Sequence, residues 1–531
     1  MRRLLLLLFP ALLPTAPAAP PGKLDPDLEG RKGPLPLFVR MADQLLPRAG
    51  ALEAFVRKNG KRPRGELRRE VLSTLKEKAR KSWEGIEPFL EELKGKGLVS
   101  GVKRFWIVNG FACTGTLEAA RLFAKRKDVS FVYLQRGPGR HMFPRRFPGN
   151  AWKKGWMKKA REALALAKAE SPGPFDPKGV KVPWNLEKLL AHRVWKEKGI
   201  TGKGVVVAVL DTGLLPIPAL EKALWVNPAE KLDGKDDDGN GYVDDLFGWD
   251  FRRGVPDVLR NSGPIPHGTM CAGIIAGRPL EESPLVTGAA PGARVMVLVG
   301  SGLLEAYEYA AQMGADILSM SYMWVNMKLG HYRGVFRTAH EHLAAAGVLS
   351  AGGAGNFARS APRGKQIALP KDIPCVIASA GILRDGSKAP PSSEGPCYWE
   401  NVAFYSDYPH DHPLAKPDVT GYFGGFPVWG SARRRLRRWR VVYEDGRGGA
   451  LLVGPRGNSF SGPQAVGVAA LVLSANPDLN PWDVKGILEK TAKDLGPKGR
   501  DYTYGAGLLQ ALPAVEAALA ARKKEKKGKK L

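Results

Sequence analysis

Between residues 181 and 521 the chain alternates short, continuous apolar runs with stretches of helical periodicity. Runs such as "GVVVAVLDTG" (204–213) and "ARVMVLVG" (293–300) are separated by stretches such as "GLLEAYEYAAQMG" (302–314). A strand that is apolar on both sides must be covered on both faces, and parallel strands are joined by crossovers that are usually helices. The alternation therefore predicts one α/β domain, a parallel sheet with helices on both faces, over residues 181–521.

A different pattern precedes this domain. Residues 50–100 place apolar residues at helical spacing among charges, and "VKRFWIVNGFACTG", "TLEAARLFAK" and "DVSFVYLQR" then have the composition of a strand, a helix and a strand. They predict a small α+β unit over about residues 50–136. Residues 137–180 are rich in Gly, Pro and Lys and predict a connector with one exposed helix, and we expect the basic tail at 522–531 to be disordered.

The N-terminus has the layout of a targeting segment. "MRRLLLLLFPALLPTAPAAP" combines two arginines, a short leucine-rich stretch and small residues. This layout is typical of a secretory signal peptide, which we assign to residues 1–19. The leucine-rich stretch is too short to span a bilayer, and no later segment is apolar enough to do so. The sequence therefore predicts an exported protein without a membrane span, either secreted or retained in the periplasm or cell envelope.

The formal net charge of +29 raises the question of an anionic partner such as nucleic acid. The positive charge is spread along the chain, with local runs at Arg433–Arg440 and Arg522–Lys530. Solvated basic surface is therefore the favoured interpretation, and binding of a polyanion is the alternative. Four cysteines are too few for a disulfide scaffold, but Cys375 and Cys397 are candidates for one pair in an oxidising compartment.

Four residues with the chemistry of nucleophilic catalysis lie at predicted ends of strands and helices. Asp211 ends a strand, His267 opens "HGTMCAGIIAG", and Ser459 opens the apolar run that follows "GNSFSGPQ". A serine hydroxyl needs a histidine to accept its proton, and a carboxylate orients that histidine. Asn356 ends "SAGGAGN", and its side-chain amide can stabilise an oxyanion. Together these residue types predict a serine hydrolase site.

The blocks "VVVAVLDTG", "HGTMCAGIIAG", "SAGGAGN" and "GNSFSGPQAVGVAAL" resemble the signature blocks of the subtilisin-like serine proteases, the subtilases. The resemblance extends over roughly residues 181–521. It implies a subtilisin-like fold, a catalytic triad of Asp211, His267 and Ser459, an oxyanion hole at Asn356, and no cofactor in catalysis. The enzyme it implies is a secreted serine endopeptidase that acts on protein or peptide substrates.

The same resemblance identifies the substrate-binding segments and two departures from the family pattern. It places Ser321, Met323 and Gly353 along the substrate, where Met323 replaces the usual glycine and bears on specificity. Gln464 replaces the usual histidine after the serine block. Ser461 is the competing serine of this block and is interpreted as a packing or N-cap residue of the following helix.

The N-terminal region also resembles subtilase sequences. "FWIVNGFACTGTLEAARLFAKRKDVSFV" looks like the inhibitor-type propeptide of the family, which assists folding and blocks the site until it is cleaved. The resemblance implies a propeptide at residues 20–136 that acts as an intramolecular inhibitor. The chain would then be made as a zymogen and processed within residues 136–181.

An acidic loop predicts a metal site. In "DDDGNGYVDD", the residues Asp236, Asp238, Asn240 and Asp244 follow a spacing of alternating oxygen ligands, and Tyr242 offers a backbone carbonyl. This spacing fits the first nine positions of a calcium loop, although the glutamate expected at position twelve is absent. We expect a structural calcium ion here. An acidic hairpin without metal is the alternative.

A second function remains open at the level of sequence. Met323, Gln464 and the arginine-rich segment at 433–440, which has the character of a hairpin insertion, depart from the family pattern. They are also consistent with a catalytically weak protein of the subtilase fold that binds a peptide or a polyanion.

Overall fold

The structure is a computed structural model that describes residues 22–137, 151–169 and 179–528. The predicted signal peptide at 1–19, parts of the predicted connector and the end of the basic tail lie outside the described residues. Within the described part of the chain, no helix is both long enough and apolar enough to cross a bilayer.

A four-stranded antiparallel sheet forms the N-terminal unit. Its strands are β1 (Leu35–Met41), β2 (Val99–Phe105), β3 (Gly110–Gly115) and β4 (Val129–Leu134), in the order β2-β3-β1-β4. Three helices accompany it: α1 (Ala51–Asn59), α2 (Arg64–Gly95) and α3 (Leu117–Lys125). The sheet thus extends upstream of residue 50, because β1 pairs with both β3 and β4.

Local sequence explains these helices. Helix α2 buries residues at helical spacing, among them Leu67, Val71 and Leu75, while its charged residues face solvent. Helix α3 begins after Thr116, whose side-chain oxygen accepts a hydrogen bond from Ala119 N at 3.1 Å and satisfies a donor of the first turn.

The second sheet has seven strands, and all its neighbouring pairs are parallel. The strands are β5 (Val206–Asp211), β6 (Gly248–Asp250), β7 (Arg294–Val299), β8 (Ile317–Met320), β9 (Leu349–Gly353), β10 (Ile377–Ile382) and β11 (Val419–Tyr422). Their order is β11-β10-β9-β8-β5-β7-β6. The α/β class predicted from the alternating apolar runs is confirmed.

Helices cover both faces of this sheet. They include α5 (Trp184–Lys188), α6 (Ala191–Lys198), α7 (Pro218–Glu221), α8 (His267–Ala276), α9 (Leu304–Gln312), α10 (Arg333–Ala345), α11 (Asn458–Ala475), α12 (Pro481–Lys490) and α13 (Ala511–Gly528). Alternate residues of β5 point to opposite faces: Val207 and Val209 pack with α8 and α11, whereas Ala208 and Leu210 pack with α9 and α10. Two cores therefore lie back to back across one sheet.

The N-terminal sheet completes the core on the α9–α10 face. Phe38 and Tyr133 from its strands belong to the same buried cluster as Tyr332 and Phe336. The rings of Phe38 and Tyr332 lie 5.8 Å apart between centroids. The N-terminal unit is thus packed against the α/β domain through an apolar face and not only through surface charges.

The connector contributes a helix, α4 (Ala151–Ala169). The sequence predicts an exposed helix here, but Trp156, Ala160 and Ala163 are buried. The ring of Trp156 packs edge-on against Phe247 at 6.1 Å. Small residues one turn apart let this helix pack closely against the α/β domain. The many basic residues of the helix predict exposure instead, so the sequence does not reveal this contact.

A third sheet lies between β11 and α11 in the chain. Its strands are β12 (Val428–Ser431), β13 (Arg440–Glu444) and β14 (Gly449–Val453), in the order β12-β14-β13. The arginine-rich segment joins β12 to β13.

Two expectations from the sequence differ from the structure. Cys375 and Cys397, the candidates for a disulfide, are both free thiols. The basic tail, expected to be disordered, continues α13 as helix up to Gly528.

Candidate active site

Asp211 and His267 meet at the carboxyl edge of the parallel sheet. Asp211 ends β5, and His267 begins α8. His267 Nδ1 lies 2.9 Å from each oxygen of the Asp211 carboxylate. Glycine is required at position 268, since a Cβ there would lie 2.4 Å from Gly213 O. The close approach of α8 to the end of β5 fixes the pair.

The electrostatic environment favours a charged imidazole. Burial lowers the pKa of His267, but attraction to Asp211 and Cys271, together with hydrogen bonds to both, outweighs burial, so the pKa of His267 lies well above its ordinary value. Asp211 is itself only 8% exposed, and its Oδ1 also accepts a hydrogen bond from Thr212 N at 2.8 Å. The carboxylate is thereby held in one orientation toward the ring.

Ser459 lies in the first turn of α11, next to this pair. Its hydroxyl donates to Ser321 O at 3.5 Å, and Ser321 Oγ donates to Ser459 O at 3.1 Å. The thiol of Cys271 lies 3.8 Å from His267 Nδ1 and 3.5 Å from Ser459 O, so one small buried side chain touches both residues. The predicted Asp211, His267 and Ser459 are thus brought together by three separate elements.

Ser461 has a different environment. It is fully buried, and its hydroxyl oxygen lies 2.9 Å from Ser379 O and 3.0 Å from Asn458 O. Its single proton is therefore bound to backbone carbonyls inside the core. This geometry fits a packing residue and leaves Ser459 as the nucleophile candidate of the turn.

Asn356 lies just beyond β9 and faces the same turn. Its Oδ1 accepts a hydrogen bond from Asn458 N at 2.8 Å, which orients the amide. Its Nδ2 then points toward Gly457, where a Cβ would lie 3.4 Å away. The amide nitrogen of Asn356 therefore lies beside the turn that carries Ser459.

The predicted substrate-binding residues surround this space. Ser321 follows β8, and Gly353 ends β9 against α11, where a Cβ at residue 353 would lie 2.0 Å from Asn458 O. Met323 packs against Ile367, and its sulfur accepts a hydrogen bond from Ala368 N at 3.4 Å. These contacts hold the Met323 side chain against residues 367–368.

Gln464 has a structural role in this chain. It is fully buried, its Oε1 accepts from Tyr422 N, and its Nε2 donates to Tyr422 O and Phe460 O. The side chain ties α11 to the end of β11. This departure from the family pattern is therefore buried between α11 and β11 and does not reach the surface beside Ser459.

Sequence reasoning missed Lys371. It is fully buried, and its Nζ donates to Tyr322 O at 2.6 Å, in the segment between Ser321 and Met323. Burial lowers the pKa of Lys371 to about 7. The stretch "LPKD" that contains Lys371 matches no motif, so nothing in the sequence singles this lysine out. Its contact with Tyr322 O shows that Lys371 holds the segment from Ser321 to Met323 in place.

The acidic loop brings three carboxylates together, and two of them, Asp236 and Asp238, are among the predicted ligands. Oxygens of Asp236 and Asp238 lie together with one of Glu230, all within 4.8 Å of one another. Glu230 is 6% exposed, and its Oε2 has no hydrogen-bond partner within the described part of the chain. Burial raises the pKa of Glu230 to about 7. A buried, unpaired carboxylate oxygen beside two further acids fits a hard cation.

The other predicted ligands are engaged differently. Asp244 Oδ1 accepts hydrogen bonds from Asp233 N and Gly234 N, and Asn240 Oδ1 accepts from Tyr242 N at 2.7 Å. These bonds shape the loop around Asp236 and Asp238. Glu230 had no signal in the sequence, because it lies outside the D-x-D-x-N-G spacing.

Comparisons with known proteins show what the chain is similar to. The family model described as "Subtilase family" matches residues 202–507. Bacillopeptidase F of Bacillus subtilis (strain 168) is 24% identical over 85% of this chain and 29% of its own length. Serine protease AprX of the same organism is 30% identical over 59% of this chain and 66% of its own length. A calcium-dependent protease of Nostoc sp. is 29% identical over 50% of this chain and 43% of its own length. The chain therefore spans between 29% and 66% of these relatives.

The Asp211–His267 pair generates a direct prediction. Replacing Asp211 with Asn removes the negative charge but keeps the burial, so we expect the pKa of His267 to fall from well above about 6.5 to below that value. NMR titration of protein with isotopically labelled histidine measures this change. His412, in an exposed loop, is the internal control. An unchanged pKa of His267 in the variant would show that the carboxylate does not act on the ring.

Proposed function

The chain belongs to the subtilase family, and from this premise we propose that it is a serine endopeptidase that hydrolyses peptide bonds in protein or peptide substrates. The observation that carries the proposal is the convergence of Asp211, His267 and Ser459 beside the oriented amide of Asn356. Acyl transfer to a serine requires a nucleophile, a base that accepts its proton, a carboxylate that orients the base and a donor for the oxyanion. These four groups can supply those functions.

The geometry suggests how the reaction proceeds. Ser459 Oγ rotates from Ser321 O toward His267 Nε2, gives up its proton and attacks the carbonyl carbon of the substrate. Asp211 accepts the hydrogen bond from Nδ1–H and stabilises the imidazolium that forms. His267 then protonates the leaving amine, and a water molecule activated by the same ring hydrolyses the acyl-enzyme.

The oxyanion is stabilised by fixed donors. Asn356 Nδ2 points beside Ser459, and backbone N–H groups at the start of α11 face the same space with the positive end of the helix dipole. Because Asn458 N–H holds the amide oxygen, the amide nitrogen needs no reorganisation when charge develops. This preorganisation is what makes such a donor effective in a partly buried site.

We assign to the N-terminal unit the role of an intramolecular inhibitor, in a chain made as a zymogen and exported through residues 1–19. Backbone groups of this unit bond to side chains of α9 and α10: Ile107 N donates to Glu308 Oε1 at 3.0 Å, and Leu46 N donates to the buried His342 Nε2 at 3.1 Å. Its last described residue, Gly137, would place a Cβ 2.9 Å from Leu329, eight residues after Ser321. The connector therefore starts beside the segment that follows β8, which carries Ser321 at its beginning.

Labelling with a fluorophosphonate tests the catalytic proposal. We expect the processed wild-type protein to be labelled, Ser459→Ala to lose all labelling, and Ser461→Ala to retain it if it folds. Circular dichroism of both variants separates loss of the nucleophile from loss of the fold. Absence of labelling in the processed wild-type protein would contradict the proposal and favour a non-catalytic peptide-binding protein of the same fold.

We also propose that Glu230, Asp236 and Asp238 hold a calcium ion with a structural role. The ion would neutralise the buried carboxylates and fix the loop that follows α7. At about 100-fold excess over its Kd, calcium should raise the melting temperature by about 5 °C relative to EDTA. In Asp238→Asn this difference should shrink, whereas Glu281→Gln, an exposed control, should retain it. Equal melting temperatures of the wild type in calcium and in EDTA would contradict the site.

A further inference from the structure

The segment between β12 and β13 concentrates positive charge on the surface. We call it the arginine loop, and its six arginines, all exposed, are Arg433, Arg434, Arg435, Arg437, Arg438 and Arg440. Among the residues that the structure describes, none of these six forms an ion pair, whereas Arg447 in the next turn pairs with Glu221 at 2.9 Å. Unpaired guanidinium groups at this density repel one another, and an anionic partner would relieve the repulsion.

The arginine loop has a defined conformation. Trp439 is 5% exposed and anchors the loop to the core, and Arg435 Nη1 donates to Trp439 O at 2.9 Å. Trp439 N donates in turn to Leu436 O at 2.9 Å. The remaining guanidinium groups are thus presented to solvent from a fixed turn.

The loop lies close to the candidate active site. At one end, β12 crosses α8, where a Cβ at Gly430 would lie 3.1 Å from Met270, one turn after His267. At the other end, Trp439 packs against Gly454, where a Cβ would lie 3.1 Å from the indole. Gly454 precedes Ser459 by five residues, which limits the separation to about 17 Å.

The loop and the N-terminal unit lie on opposite faces of the seven-stranded sheet. The third sheet packs with α8 in one core, and the N-terminal sheet packs with α9 and α10 in the other. The end of the N-terminal unit, at Gly137, contacts the segment after Ser321. If the N-terminal unit occupies the side of the site that binds residues N-terminal to the cleaved bond, as the proposed inhibitor role requires, the other side, with the arginine loop, is left for residues C-terminal to that bond.

The third sheet also offers a backbone edge. β13 is its edge strand, and alternate residues of this strand are exposed, with Val442 at 44%. An extended peptide can add to such an edge through main-chain hydrogen bonds. The exposed residues of the loop include no aromatic ring, because Trp439 is buried, so the loop lacks the stacking surface that single-stranded nucleic acid uses.

We propose that the arginine loop and the free edge of β13 bind an acidic stretch of the polypeptide substrate, C-terminal to the bond that is cleaved. The proposal rests on the proposed peptidase function. It defines the preferred substrates as proteins with clustered Asp or Glu residues after the cleavage point.

Two peptides test it. They share the residues around the cleaved bond and carry either four Glu or four Gln in their C-terminal half. We expect the wild-type kcat/KM to favour the Glu peptide roughly tenfold at low salt, with the preference declining as salt rises. In a variant with four arginines of the loop changed together to Gln, the ratio of kcat/KM for the Glu peptide to kcat/KM for the Gln peptide should fall to near one. The four residues are Arg433, Arg434, Arg437 and Arg438.

A matched variant removes the same charge elsewhere. The control changes four exposed lysines outside the third sheet to Gln: Lys490, Lys493, Lys498 and Lys523. This variant should keep the ratio of the two kcat/KM values near its wild-type value. A wild-type ratio near one, or a preference that survives in the loop variant, would overturn the proposal. A wild-type ratio near one would instead indicate that the arginines prevent the edge strand β13 from pairing with a strand of another chain.

Binding to Ser459→Ala separates this proposal from the catalytic one. Fluorescence anisotropy of the two labelled peptides gives their Kd values without hydrolysis, and we again expect roughly tenfold tighter binding of the Glu peptide. This result holds even if the wild-type protein proves inactive. Binding of heparin that the Glu peptide does not displace, together with equal Kd values for the two peptides, would instead assign the loop to a polysaccharide partner and contradict the proposal.

Discussion

The close approach of helix α11 to strand β9 is the constraint on which the candidate site depends. A Cβ at Gly462 would lie 2.3 Å from Gly353 N, and a Cβ at Gly353 would lie 2.0 Å from Asn458 O. Backbone therefore packs on backbone, and no side chain separates the two elements. This contact sets Ser459 beside Asn356 and Ser321, each of which follows a neighbouring strand of the parallel sheet.

The rest of the α/β domain supports this contact from two sides. On one face, α11 is buried along almost its whole length against α8 and α13, so its position is fixed by packing rather than by surface interactions. On the other face, α9 and α10 share their core with the N-terminal sheet. Removing that sheet would expose apolar side chains such as Tyr332 and Phe336 and leave Glu308 without the backbone donor of Ile107. The N-terminal unit is therefore energetically coupled to the α9–α10 face of the domain.

Much of this arrangement could be predicted from the sequence, because short apolar runs that alternate with helices leave few options for the fold. Asp211 and Asn356 follow such runs at the edge to which parallel strands bring functional groups, and His267 and Ser459 lie at the starts of helices. What the sequence could not supply are contacts between residues without a shared motif. Lys371 reaches Tyr322 O across 49 positions.

The acidic loop and the connector show the same limit. Glu230 joins Asp236 and Asp238 only because the loop folds back, while Asp244 is drawn away by the N–H groups of Asp233 and Gly234. In α4, burial of Trp156 depends on a partner surface near Phe247 that periodicity within the helix does not reveal. Local spacing predicts which residue types are present, and the tertiary fold decides which of them meet.

The proposed oxyanion donor, Asn356, provides the most direct measurement of the central claim, that this site stabilises a transition state at Ser459. Asn356→Asp keeps the oxygen that accepts from Asn458 N and removes the Nδ2 donor. We expect kcat on a peptide substrate to fall by about 10²–10³, the magnitude known for subtilisin itself, or more because of the added negative charge, with little change in KM. A raised KM with unchanged kcat would show that Asn356 only binds the ground state, and would contradict the assembly of the site described above.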